Sequence, residues 1–158
     1  MTDVYVAGSI THMPKEWWSI YEKIGRTINN FGLTAYIPHI QTPQDIGSPI
    51  DVVLASTDDN DGFHKDIFHN DVKCVENAKL IIAEVSNPST GTGIELGVAL
   101  KAEKPIICLA RKNALVTPFI MGAAQSGLVR LIRYESEEDA LMQLRYILEN
   151  NFSHLIVK

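Results

Sequence analysis

Two runs constrain this chain most: LIIAEV at residues 80–85 and PIICLA at 105–110. Both are apolar without alternation. An alternating strand keeps one face in water, whereas a continuously apolar strand is buried on both faces, as in a parallel sheet covered by helices. Other apolar runs fit the same plan. VYVAG (4–8) reads as a first strand, LTAYI (33–37) as a second and LVRLIR (128–133) as the fifth. Between them the spacing turns helical. Pro14 opens a helix whose apolar stripe is Trp17, Tyr21, Ile24 and Ile28, and Gly32 ends it. Further helices are expected over roughly 62–77 and from about Thr92 to Glu103. Thr117-Pro118 opens a short one that Gly127 closes, and a last begins near Glu137 with Ala140, Leu141, Leu144 and Leu148 on one face. Residues 41–60, polar with Pro, Gly, Ser and an acidic run, read as a loop. The expectation is an α/β chain, residues 1–158 forming one Rossmann-like (flavodoxin-like) domain, a five-stranded parallel sheet with helices on both faces.

Composition narrows the function classes. The net charge is −5, which argues against a nucleic-acid surface, since that needs clustered Lys and Arg. A small anionic ligand needs only a local positive site. No apolar run is long enough to span a bilayer, and MTDVYVAGS lacks the basic start and long apolar stretch of a signal peptide. Cys74 and Cys108 have neither metal nor redox spacing. A cytoplasmic chain without membrane or nucleic-acid partner is therefore expected. His64 and His69 are five apart, off a single helix face, so neither a metal nor any other cofactor is expected.

Ligands of open parallel sheets bind beyond the carboxyl ends of the strands. That singles out Gly8-Ser9-Ile10-Thr11-His12, Pro38-His39, Ser86 to Gly93 and Arg111 to Thr117. The stretch NPSTGTGIELG (87–97) is the most informative. Gly91 and Gly93 let backbone come close to a ligand, unpaired N–H groups at the following helix start favour an anion, and Ser89 and Thr90 add hydroxyls. The same residues also read as a capping box, Thr92 capping and Glu95 reaching back. The glycine spacing matches neither a dinucleotide fingerprint nor a phosphate-binding loop of the Gly-Lys-Ser/Thr type.

A second carboxylate stands out in HKDIFHNDVKCVENA. At about 100° per residue, Ile67, Phe68, Cys74 and Val75 all fall within about 60° of Asp71, while Asp66 lies on the opposite, polar side. A carboxylate in an apolar arc is either a structural hydrogen-bonding group or a functional acid with a raised pKa.

These residues carry a resemblance. VYVAGSI at 4–10, HND with Asp71, AKLIIAEVSNPSTGTGIELGVAL at 78–100, PIICLAR at 105–111 and TPFIMGAA at 117–124 resemble the nucleoside 2-deoxyribosyltransferase superfamily. The nearest branch is the 2'-deoxynucleoside 5'-phosphate N-hydrolases. The likeness runs from about Val4 to Ala124, with 41–61 matching poorly.

The resemblance implies roles. Glu95 is the nucleophile that attacks C1' of the sugar, its charge favoured near a helix N-terminus. Asp71 is the second carboxylate, protonated by its apolar setting and able to assist the leaving base, in the manner of retaining glycosidases. Tyr5 orients the nucleophile; without the resemblance it reads as a core aromatic. Ser89 meets a 5'-phosphate where the transferases carry acidic residues, and Ser9 and Thr117 align with further phosphate-contacting serines. Thr117 belongs to the site of a partner subunit, which implies a homodimer. Gly8, Ile10, Thr11, His12, Gly91 and Gly93 complete the substrate contacts, with His39 and Ile24 set beside base or sugar; otherwise His39 closes a turn and Ile24 is core. Two departures stand out. The N-hydrolase pattern has Arg where this chain has Thr11, leaving His12, Lys15 or Arg111 as cations in its place, and Ile94 stands where that pattern has Tyr. The implied activity is hydrolysis of the N-glycosidic bond of (2'-deoxy)nucleoside 5'-monophosphates. Base exchange between deoxynucleosides and non-catalytic nucleotide binding are the alternatives.

Overall fold

The computed structural model describes residues 2–11 and 13–156. Its strands are β1 (Val4–Gly8), β2 (Ala35–Tyr36), β3 (Leu80–Glu84), β4 (Ile106–Arg111) and β5 (Arg130–Tyr134). All pair in parallel, in the order β2-β1-β3-β4-β5. The helices are α1 (Ser19–Asn30), α2 (Pro38–Ile46), α3 (Ile50–Ala55), α4 (Gly62–Asn77), α5 (Thr90–Lys101), α6 (Pro118–Gln125) and α7 (Glu137–Asn151). The parallel α/β architecture read from the alternating runs is the one found.

Strand alternation divides the core into two layers. Val4, Val6, Leu80 and Ile82 pack with Tyr21, Ile24 and Ile28 of α1 and with Ala140, Leu144 and Leu148 of α7. Tyr5, Ala7, Ile81 and Ala83 face the other way, onto Val75 of α4 and Leu96 and Ala99 of α5. β3 is buried at every position, which is why its sequence shows no alternation. Chain order reverses between β1 and β3, so the segments that follow them run to opposite faces of the sheet and leave a crevice beyond their paired carboxyl ends. Gly8 is required there: a Cβ at this position would lie 2.2 Å from the Tyr21 ring, at the turn where β1 meets the crevice.

Four readings of the sequence are corrected. Residues 41–60 are not one loop but contain most of α2 and all of α3. Pro38 sits in the first turn of α2 and Gly47 closes it with φ 72°. The buried face of α2 is Pro38, His39 and Thr42, so it shows no apolar stripe. The second strand is shorter than LTAYI, since only Ala35 and Tyr36 pair with β1. The helix expected at Pro14 begins as a 3-10 turn over Lys15–Trp18, and this rotates Trp17 out of the stripe. Trp17 is 39% exposed, with the Arg111 guanidinium 3.7 Å above its ring. Finally, α5 starts at Thr90 with Ser89 as its cap: Ser89 Oγ accepts from the Thr92 N–H at 3.2 Å. Thr92 and Glu95 therefore form no capping box.

Among the described residues no helix is long and apolar enough to cross a membrane.

Candidate active site

Two carboxylates converge on the crevice from the same side of the sheet. Glu95 projects from α5 and meets Tyr5, whose hydroxyl donates to Glu95 Oε1 at 2.7 Å. Tyr5 is fully buried in β1 and stacks on Tyr36 of β2, ring centroids 5.6 Å apart and planes 10° apart. A hydroxyl held by a buried, stacked ring has little freedom, so it fixes the Glu95 carboxyl. Burial, Glu95 and Asp71 all push the Tyr5 pKa well above its usual value, so the hydroxyl stays a donor.

Glu95 ionises less readily than a place at the helix N-terminus implies. Burial pushes its pKa up to about 7, the Tyr5 hydrogen bond opposes this, and the nearby Asp71 charge adds to it. The reason is position. With α5 starting at Thr90, Glu95 lies beyond the first turn, where the helix terminus has little effect.

Asp71 projects from α4. Burial raises its pKa, while donors from Thr42 and Asn70 work against the rise. Thr42 Oγ1 donates to Asp71 Oδ1 at 2.8 Å, and Asn70 Nδ2 donates to the same oxygen at 3.2 Å. The apolar arc around Asp71 is narrower than the helical wheel implies. Val75 is buried, but Phe68 is 53% exposed, because α4 buries only the side packed on α2 and α5. Thr42, the partner of Asp71 from α2, is invisible in the sequence, since α2 shows no apolar stripe.

Glu95 and Asp71 both line a cavity of about 630 Å³. Gly8, Ser9, Ile10 and Thr11 form one wall after β1, and Ser89, Thr90 and Gly91 form another at the start of α5. The roof was missed: Ile46, Ile50, Val53 and Leu54 of α2 and α3 close over the cavity. The only trace of it is Ile50, Val53 and Leu54 at i, i+3 and i+4, a stripe that lines the cavity while Ile50 and Leu54 also pack against the edge of the α1-side core. One end of the site is thus rich in hydroxyls and backbone N–H groups, and the other has an apolar roof with Ser56 and His64 beside it.

Several expected residues lie elsewhere. Ile24 is fully buried in the core beneath α1, on the opposite face of the sheet from Tyr5. His39 is buried against Trp18 and Tyr21, with Nε2 3.5 Å from Glu22, and burial lowers its pKa; its neighbour Pro38 borders the cavity instead. Gly93 and Thr117 line a second cavity, also about 630 Å³, on the far side of the Pro88–Thr92 turn. His12 lies outside the described residues. Of the cations considered in place of the missing Arg, Lys15 pairs with Asp51 at 2.6 Å and Arg111 stacks on Trp17. Among the described residues, no Lys or Arg lines the cavity that holds Glu95.

Comparison with known proteins agrees with the fold. The model of the nucleoside 2-deoxyribosyltransferase family matches residues 4–143. The 5-hydroxymethyl-dUMP N-hydrolase of Homo sapiens is 30% identical over 145 residues, covering 90% of this chain and 78% of that protein. The solved CMP N-glycosidase BcmB of Clostridium botulinum superposes with a TM-score of 0.65 at 20% identity, covering 92% of this chain and 99% of that one. The 2-deoxyribosyltransferase of Bacillus psychrosaccharolyticus gives 0.64 at 16% identity, covering 99% and 98%. The last two are likenesses of fold. The chain belongs to the nucleoside 2-deoxyribosyltransferase family.

Proposed function

We propose that this chain hydrolyses the N-glycosidic bond of (2'-deoxy)nucleoside 5'-monophosphates, releasing free base and (deoxy)ribose 5-phosphate. The observation that carries the reading is the placing of Glu95, tied to Tyr5, in the same cavity as Asp71. The ionised Glu95 attacks C1' of the sugar. The glycosidic bond breaks, its electron pair leaves with the base, and Asp71 gives the base a proton. Water then attacks C1' of the glycosyl-enzyme, giving its proton to Asp71 and releasing Glu95 as carboxylate. A pKa near 7 leaves a substantial fraction of Glu95 ionised at neutral pH and makes it a better nucleophile than an ordinary carboxylate.

The hydroxyl-rich end, with Ser9, Ser89 and the N–H groups of Thr90 and Gly91, suits the 5'-phosphate. The apolar roof suits the base. Names of relatives support hydrolysis of nucleotides: one is a 5-hydroxymethyl-dUMP N-hydrolase and a structural neighbour is a CMP N-glycosidase. Glu95 serves no cap, which weighs against a purely structural role in a nucleotide-binding module.

Base exchange is the second reading. It is favoured by the lack of Lys and Arg along the described cavity wall, since a free 5'-hydroxyl needs no cation. Thr117 lies across the Pro88–Thr92 turn from Glu95, in an apolar cleft beside Leu115 and Phe119, which are 94% and 84% exposed. That supports a homodimer in which this cleft is covered by a second copy, bringing Thr117 to the partner's site.

The direct test is Glu95→Gln. The folded variant is expected to bind nucleotide and release almost no base. Turnover close to wild type would remove Glu95 from the mechanism.

A further inference from the structure

The two oxygens of Asp71 are not equivalent. Oδ1 accepts from both Thr42 Oγ1 and Asn70 Nδ2, whereas the structure shows no hydrogen bond to Oδ2 among the described residues. The donors on Oδ1 are themselves held. Thr42 is buried, and its Oγ1 lies 3.0 Å from the Tyr36 hydroxyl, which donates to Asp45 Oδ2 at 2.8 Å. Asn70 Nδ2 donates to Tyr36 Oη at 2.7 Å and lies 3.4 Å from Asp45 Oδ2. Tyr36 gives its one hydroxyl proton to Asp45, so the Asn70 group that faces Tyr36 Oη and Asp45 Oδ2 must be the NH₂. An N–H can only donate, so a proton on Asp71 Oδ1 would face another proton.

We propose that Thr42 and Asn70 are positioning residues that reserve Asp71 Oδ1 as an acceptor and place the acid's proton on Oδ2, the oxygen left to meet the substrate. The inference rests on the reading of Asp71 as the acid. It also gives α2 a function: this helix, in the stretch that matches the family pattern poorly, carries Thr42 to the site. During the first step the Oδ2–H bond breaks, the proton passes to the leaving base, and Asp71 becomes a carboxylate. Its new charge is then met by the two donors already aimed at Oδ1. Donors in place before the charge forms need no reorganisation when it does. In the second step the proton taken from water returns to Oδ2.

The experiment compares kcat/KM, which reports the base-releasing step, for a good and a poor leaving group. The pair is 5-fluoro-2'-deoxyuridine and 2'-deoxyuridine 5'-monophosphates, or 7-methylguanine and guanine deoxynucleotides if the enzyme releases purines. Thr42→Val keeps the shape and loses the donor; Thr42→Ser keeps the donor. Asn70→Ala removes the second donor and carries the same expectation should Thr42→Val fail to fold. We expect Thr42→Val to lower kcat/KM about tenfold or more for the poor leaving group and far less for the good one, and Thr42→Ser to stay near wild type. Thr42→Val should add little further loss to Asp71→Asn, because both act on one group. Equal losses for both substrates in Thr42→Val, alongside a leaving-group-dependent loss in Asp71→Asn, overturn the positioning role and leave the acid in place. If Asp71→Asn itself slows both substrates equally, the acid reading fails and the inference with it.

Discussion

The Tyr5 hydroxyl and the Glu95 carboxyl lie 2.7 Å apart across 90 residues of sequence. The contact lowers the Glu95 pKa against the rise that burial imposes. Removing it in Tyr5→Phe therefore raises that pKa further. The activity limb set by Glu95 ionisation should move to higher pH, so the loss should be about tenfold at pH 6 and smaller at pH 8. A pH–rate profile of kcat/KM reads this. An unshifted limb would detach Tyr5 from Glu95.

Glu95 also links pH to stability. Its pKa is about 7 in the folded chain against a usual 4.5, so the folded state holds the proton through that window. The group's contribution to stability is complete below pH 4.5 and is lost as pH rises through 7. Glu95→Gln resembles the protonated form. It should be more stable than wild type by roughly 1–3 kcal/mol at pH 8 and scarcely different at pH 4. Urea midpoints at the two pH values decide it. No gain at pH 8 contradicts the burial of this carboxyl.

Ser89 has two duties that substitutions can separate. Its Oγ caps α5 and it borders the cavity. Ser89→Ala should cost about 1 kcal/mol of stability as a lost cap. It should also raise KM for a 5'-monophosphate about tenfold, with little effect on activity toward the free nucleoside. Ser89→Asp retains a good capping group but sets a carboxylate against the phosphate. It should stay as stable as wild type and shift preference toward the free nucleoside. A Ser89→Asp chain that keeps its monophosphate preference would place the phosphate elsewhere.

The apolar cleft beside Thr117 predicts an oligomer. Phe119→Glu sets a charge on an exposed ring of that cleft and should convert a dimer to monomer in sedimentation velocity, with activity falling as the partner's Thr117 is lost. Unchanged sedimentation would move the interface off this face.

Much of this arrangement is legible in the sequence because it follows from periodicity. The unbroken runs of β3 and β4 declare strands buried on both faces, and the glycines after β3 mark the crevice. Glu95 and Asp71 were legible as carboxylates in unusual settings. The α2–α3 segment was not. Pro43 lies inside α2, whose buried residues include His39 and Thr42, so no apolar stripe exists to be read. In α3, a helix of only 6 residues, Ile50, Val53 and Leu54 line the cavity, none of its residues is fully buried and Val52 is exposed, so the apolar pattern is too short to read as a core stripe. His39 and Ile24 misled for the converse reason: position along the chain suggested the site, while side-chain direction put both beneath α1.

The central claim is tested most directly by incubating the enzyme with a panel of 2'-deoxynucleosides and their 5'-monophosphates and measuring free base by chromatography, with no second base present. Base released from a monophosphate at a rate well above that from its nucleoside, and abolished in Glu95→Gln, is the predicted result. Release that favours the free nucleoside and accelerates when a second base is added would contradict the account and establish base exchange in its place.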